Sequence, residues 1–92
     1  MPQVLVKLYT TLRHRFNKSQ LWIEARDADE LVLRVVEAGG PGMAQVLLGE
    51  DGVVRNEFLL TLDSEILDRK ALKKVQLKEG NVLHIFPPIS GG

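Results

Sequence analysis

The residues Phe86-Pro87-Pro88-Ile89-Ser90-Gly91-Gly92 are where this sequence could do chemistry. They put a carboxylate, that of Gly92, at the end of an arm with few side chains. Two adjacent prolines fix φ and cannot donate to a sheet ladder, so they end the preceding strand and send the backbone outward. Ile89 to Gly92 then reach about 13 to 14 Å when extended, far enough to carry the carboxylate into another protein's pocket. Glycines have no Cβ, so they can thread a narrow channel and adopt backbone angles closed to other residues. A terminus of small residues is commonly a frayed end and nothing more. Phe-Pro-Pro-Ile-Ser ahead of Gly-Gly, however, is neither a low-complexity linker nor a purification tag, and this favours an arm.

The other reactive side chains offer less. Cysteine is absent, which removes disulfides, thiolate nucleophiles and Cys-ligated zinc or iron-sulfur sites. His14 and His84 are isolated in sequence and read as surface histidines, so no metal site is expected. Arg13, His14, Arg15 and Lys18 form a small basic cluster that reads as a solvated turn, since no aromatic stacking motif accompanies it. Asp27 and Glu30 have the spacing of a helix cap, which explains them better than acid-base catalysis does.

Ninety-two residues make one domain with a modest core, too small for an elaborate active site of its own. Twelve basic residues balance twelve acidic ones, so no global field draws in nucleic acid or an anionic membrane. No apolar run approaches a membrane span, and Met-Pro-Gln-Val lacks the charged start and apolar core of a signal peptide. The expectation is a cytoplasmic protein that is not an enzyme by itself, with no nucleic-acid and no membrane partner.

The elements that must hold the arm can be read from periodicity. Gln3 to Tyr9 alternate, with Val4, Val6 and Leu8 on one face and Leu5, Lys7 and Tyr9 on the other, which predicts a half-buried strand. After a polar connection from Thr10 to Lys18, Leu21, Ile23 and Ala25 alternate with Gln20, Trp22 and Glu24, which predicts the second strand of a hairpin. Asp27 and Glu30 open a helix over Asp29 to Ala38, with Leu31, Val32, Val35, Val36 and Ala38 on its apolar side, and Gly39-Gly40-Pro41-Gly42 ends it. Met43 to Leu48 suggest one helical turn within an otherwise unassigned region, 39–57. Phe58 to Leu62 read as a strand with Phe58, Leu60 and Leu62 inward. Glu65 to Leu67 form a brief segment, and Lys78-Glu79-Gly80-Asn81 turn into a last strand, Val82 to Phe86, with Leu83 and Ile85 on one face. The class is α+β: a mixed sheet packed against one main helix. In one arrangement the last strand lies parallel to the first, because the intervening elements make a long enough crossover. If the first, third and last strands are neighbours, Leu5, Leu59, His84 and Phe86 point away from the helix and form an apolar patch beside the arm, and Tyr9 and Trp22 also point outward.

This pattern, together with Phe86-Pro87-Pro88-Ile89-Ser90-Gly91-Gly92, resembles the small subunits of molybdopterin synthase, within the wider group of ubiquitin-like sulfur carriers. Leu77-Lys78-Glu79-Gly80-Asn81-Val82-Leu83-His84-Ile85 is also similar to the closing segment of ubiquitin. The chain departs from the family at Leu62-Asp63-Ser64-Glu65, where an Asn-Gly-like turn is usual, and at Lys74-Val75-Gln76-Leu77. The resemblance implies a β-grasp domain over residues 1–86 and an extended tail over 87–92. It further implies that a partner enzyme uses ATP to adenylate the Gly92 carboxylate, that sulfur replaces AMP to leave a thiocarboxylate, and that this chain binds no cofactor. The large subunit of molybdopterin synthase would accept the tail, and sulfur would pass to a cyclic pterin precursor. In that scheme Gly92 reacts, Gly91 provides clearance, Pro87 and Pro88 set direction and Ile89 belongs to the arm. Ser90 either hydrogen-bonds within the tunnel or is present because it is small. Carriers for thiamine, thiolated transfer RNA or cysteine synthesis share this chemistry. Outside the class stand a protein modifier joined through Gly92 to lysine and an interaction module that never reacts.

Overall fold

The computed structural model describes residues 1–88 of the chain. Strand β1 (Gln3–Leu8) buries Val4, Val6 and Leu8 and turns Leu5 and Lys7 to its other face, as the alternation requires. Strand β2 (Gln20–Glu24) lies antiparallel to it, with Leu5 opposite Trp22 and Val6 opposite Leu21.

The connection between them corrects the sequence expectation: it is a helix, α1 (Thr10–Phe16), where a polar loop was predicted. Leu12 and Phe16, four residues apart, supply its inward face, and Leu12 is fully buried. The five other residues of this helix, all polar or basic, mask the pattern at this length. Asn17 ends the helix in the left-handed region (φ 56°), and the Lys18 amide returns to the Arg13 carbonyl at 3.3 Å.

Helix α2 (Ala28–Ala38) begins at the predicted cap, where Asp27 Oδ1 accepts from the Glu30 amide at 2.8 Å. The reciprocal half of the box is shifted by one residue, because Glu30 Oε1 accepts from the Arg26 amide (2.8 Å), not from that of Asp27. Ala28, Leu31, Val32 and Val35 form the buried stripe, while Ala38, predicted on that side, is exposed. Replacing Asp27 by Ala removes the cap acceptor, so a loss of about 1 kcal/mol is expected in urea unfolding with an unchanged slope. An unchanged midpoint would show that water replaces the cap without cost. At the other end, Gly39 is where Met43 packs, and a Cβ there would meet the Met43 Sδ at 2.8 Å and Cβ at 2.9 Å. That contact seats the short helix α3 (Met43–Leu47), whose Met43 and Leu47 are fully buried.

Strands β3 (Leu59–Leu62) and β4 (Glu65–Ile66) form a small hairpin, followed by a 3-10 turn (Leu72–Lys74) and the last strand, β5 (Val82–Phe86). The sheet order is β2-β1-β5-β3-β4, with β1 and β5 parallel and the other pairs antiparallel. β5 is therefore the central strand, and its Leu83 and Ile85 are fully buried in one apolar cluster with the α2 stripe, Val4, Val6 and Leu60. Asp63 explains how the hairpin tolerates its departure from an Asn-Gly turn. It occupies the left-handed region (φ 55°), where Asp is among the residues that fit best. Its carboxylate also accepts from the Val82 amide (3.1 Å) and the Asn81 side-chain amide (2.7 Å), tying the turn to the start of β5. Among the described residues no helix is long and apolar enough to cross a membrane, and no group of three or more His, Asp or Glu could hold a metal ion.

Candidate docking face and tail exit

The sheet face opposite α2 is built from the residues that alternate with the core. The registers order it into three rows. Trp22, Leu5 and Val82 form one; Lys7, His84, Thr61 and Ile66 the next; Phe86 and Leu59 the third, with Tyr9 directly after β1 beside Phe86. Trp22 (58% exposed), Leu59 (43%) and Ile66 (70%) present large apolar surface to solvent. Leu5, Tyr9, His84 and Phe86 are half-buried.

Of the four residues predicted to share a patch, three come together. Leu59 pairs with Phe86 across β3 and β5, and His84 precedes Phe86 by two positions on the same face. Leu5 is set apart: it is opposite Val82, about 13 Å along β5 from Phe86 at about 3.3 Å per residue, and its neighbour is Trp22.

Tyr9 is what binds the patch into a unit. Its ring stacks on Phe86 (centroids 4.7 Å, planes 17° apart) and on His84 (5.9 Å, 19°), and His84 lies nearly coplanar in orientation with Phe86 (5.6 Å, 2°). Its hydroxyl hydrogen-bonds His84 Nδ1 at 2.7 Å. Such aromatic pairs contribute about 0.5 to 1.5 kcal/mol each beyond the area they bury. The parity of Tyr9 with Leu5 and Lys7 placed it on this face from sequence, but its partner lies 75 residues away and had no local signal.

Phe86 leads directly into Pro87 and Pro88, and these three residues with Tyr9, Thr10, Thr11, Glu57 and Leu59 line an open, mainly apolar groove of about 1040 Å³. Thr10, Thr11 and Glu57 were not foreseen, because the first two lie on the helix read as a loop and Glu57 lies in the unassigned region. Thr10 holds φ at 43°, a left-handed conformation that is strained for a β-branched residue. It also borders the polar cleft formed by Arg13, His14, Asn17, Lys18 and Ser19. Arg15 is drawn away from that cluster, donating from its guanidinium to the Pro41 carbonyl at 2.7 Å. The roles expected of Ile89, Ser90, Gly91 and Gly92 concern residues outside those described.

Neither a protein-family model nor a curated protein matches the sequence. Solved structures do match the architecture. SAMP1 from Haloferax volcanii superposes with a TM-score of 0.84 at 22% identity, covering 98% of this chain and 99% of that one. The fold is the ubiquitin-like β-grasp. This β-grasp chain also resembles a chain in the BexX/CysO complex of Amycolatopsis orientalis (TM-score 0.78, 21% identity, 97% and 99% covered). In the complex of subunits 1 and 2 of the molybdopterin-converting factor from Helicobacter pylori, the matching β-grasp chain gives a TM-score of 0.63 at 24% identity, with 98% and 99% covered. At these identities the likeness is one of fold.

Proposed function

We propose that this chain is a sulfur-carrier protein, the small subunit of a molybdopterin synthase, acting in the cytoplasm. One observation carries the reading: the central strand β5 ends on Phe86 in the apolar face and passes into Pro87 and Pro88 at the mouth of the groove. The strand is anchored on both sides by β1 and β3, so the rigid middle of the sheet aims the outgoing chain, and the apolar face beside it is a surface on which a partner could seat while receiving the arm.

In this reading the Gly92 carboxylate attacks the α-phosphorus of ATP on an adenylating partner, forming an acyl-adenylate with loss of pyrophosphate. A sulfur nucleophile at the sulfide level then adds to the acyl carbon, and the C–O bond to AMP breaks, leaving a thiocarboxylate. The large subunit accepts the arm, sulfur passes to a cyclic pterin precursor, and hydrolysis returns the Gly92 carboxylate. Leu59, Phe86 and His84 dock the partner next to the exit, with Leu5 and Trp22 at the far end of the same face. Pro87 and Pro88 direct the arm, and Ile89, Ser90 and Gly91 fill the channel. The chain supplies no catalytic side chain and no bound cofactor, and ATP belongs to the activating partner. Two of the matching folds occur in complexes with a partner protein, which supports a role in assembly.

A second reading is favoured by the match to a small archaeal modifier protein: Gly92 joined by an isopeptide bond to a lysine. Intact-mass spectrometry of protein from its native cell separates the two. A fraction with one sulfur in place of one oxygen at Gly92 is the expected result, whereas high-mass conjugates through Gly92 would move the reading to a modifier. A C-terminus that stays unmodified during active cofactor synthesis would sink both.

A further inference from the structure

The docking face is not uniformly apolar. Its middle row carries Lys7, His84 and Thr61 side by side on β1, β5 and β3, between the apolar row Trp22-Leu5-Val82 and the pair Phe86-Leu59. His84 is the centre of that row, and its two nitrogens have different surroundings. Nδ1 is engaged by the Tyr9 hydroxyl at 2.7 Å. Nε2 has no hydrogen-bond partner among the described residues, yet no buried side-chain nitrogen or oxygen there lacks one, so Nε2 reaches solvent.

A phenol is a good donor and a neutral imidazole nitrogen a good acceptor, and the hydrogen bond at one ring nitrogen decides which nitrogen carries the proton. We infer that the Tyr9 hydroxyl donates to Nδ1 and thereby makes Nε2–H a fixed donor on the docking face, and that His84 and Lys7 together receive a carboxylate of the adenylating partner. Neighbouring strands run about 4.7 to 4.9 Å apart, and Lys7 and His84 are in register on the parallel strands β1 and β5, so one carboxylate can accept from the Nε2–H while facing the Lys7 ammonium. Among the described residues no ion pair involves Lys7 or His84: the pairs found are Arg26–Glu30 and Arg34–Glu30, on α2 and its approach. A partner that buries its own surface against these rows without an acceptor would strand the imidazole N–H, at a cost that discriminates against it. Tyr9 acts here as a positioning residue, through His84, and the inference rests on the reading of this face as the docking face.

The first test needs no partner. Long-range 15N correlation spectra of the free protein at a pH where His84 is neutral should show the proton on Nε2, and Tyr9→Phe, which keeps the stacked ring, should mix the tautomers. A proton on Nδ1 in the wild type would overturn the inference. The second test uses carrier-dependent ATP–pyrophosphate exchange by the adenylating enzyme of the native cell. His84→Phe, which keeps an aromatic ring but has no N–H, and Lys7→Met are each expected to raise the KM for the carrier about tenfold with kcat unchanged. His84→Gln should recover part of the loss, and the salt dependence of KM should flatten in Lys7→Met. An unchanged KM in His84→Phe would overturn the inference. If Leu59→Glu also leaves KM unchanged, the docking-face reading itself has failed, so the two failures are distinct.

Discussion

Deleting Gly92 is expected to abolish sulfur transfer and to leave the unfolding midpoint where it was. The buried core runs from Val4 to Ile85, and its last members, Leu83 and Ile85, are held in β5 by ladders on both sides. Gly92 brings no side chain, so its removal is expected to leave that packing intact. It does move the carboxylate back by one residue, about 3.5 Å, which is more than a near-attack geometry tolerates. Gly92→Ala keeps the carboxylate in register and adds a Cβ, so a partial loss on the order of a hundredfold in activation is expected. Thiocarboxylate formation followed by mass spectrometry, beside thermal unfolding of the same samples, checks both halves. Full transfer from the deleted chain would mean that the reacting group lies elsewhere.

Leu59→Glu should have the second-largest effect, on association. Leu59 is 43% exposed, pairs with Phe86 in the sheet and lines the groove at the tail exit. A surface change of this kind usually shifts stability by no more than about 0.5 kcal/mol. In the proposed docking face it would bury an unpaired carboxylate, so binding to the adenylating partner should weaken about thirtyfold or more. Phe86→Ala is a less clean probe, because it also removes the stacking on Tyr9 and would lower stability together with affinity. Calorimetric titration alongside a melting curve separates the two quantities. Wild-type affinity in Leu59→Glu would remove this face from the docking surface.

Much of this was legible in the chain before any coordinates. Period-two alternation located β1, β2, β3 and β5 and chose their buried faces, because a strand with one face in the core must present apolar residues at every second position. Asp27 marked the start of α2 because the first amides of a helix lack intrahelical partners and a side-chain oxygen three residues back is the nearest remedy. The end of β5 at Phe86, too, is a local matter: the prolines that follow it cannot donate to a ladder whatever surrounds them.

Tertiary structure decided the rest. Helix α1 depends on the burial of Leu12 and the partial burial of Phe16 under its neighbours, and a seven-residue helix among basic side chains has too little intrinsic stability to be read from propensity. The reciprocal cap of Glu30 fell on Arg26, where Arg26 and Ala28 are already bonded through their backbones to the segment around Gln76. Above all, the placing of β5 between β1 and β3 joined Tyr9 to His84 and Phe86 and set Leu5 apart from them. Alternation says which side of a strand a residue occupies. Which strands become neighbours, and hence which side chains meet across 75 positions of sequence, is settled only when the whole core closes around Leu83 and Ile85.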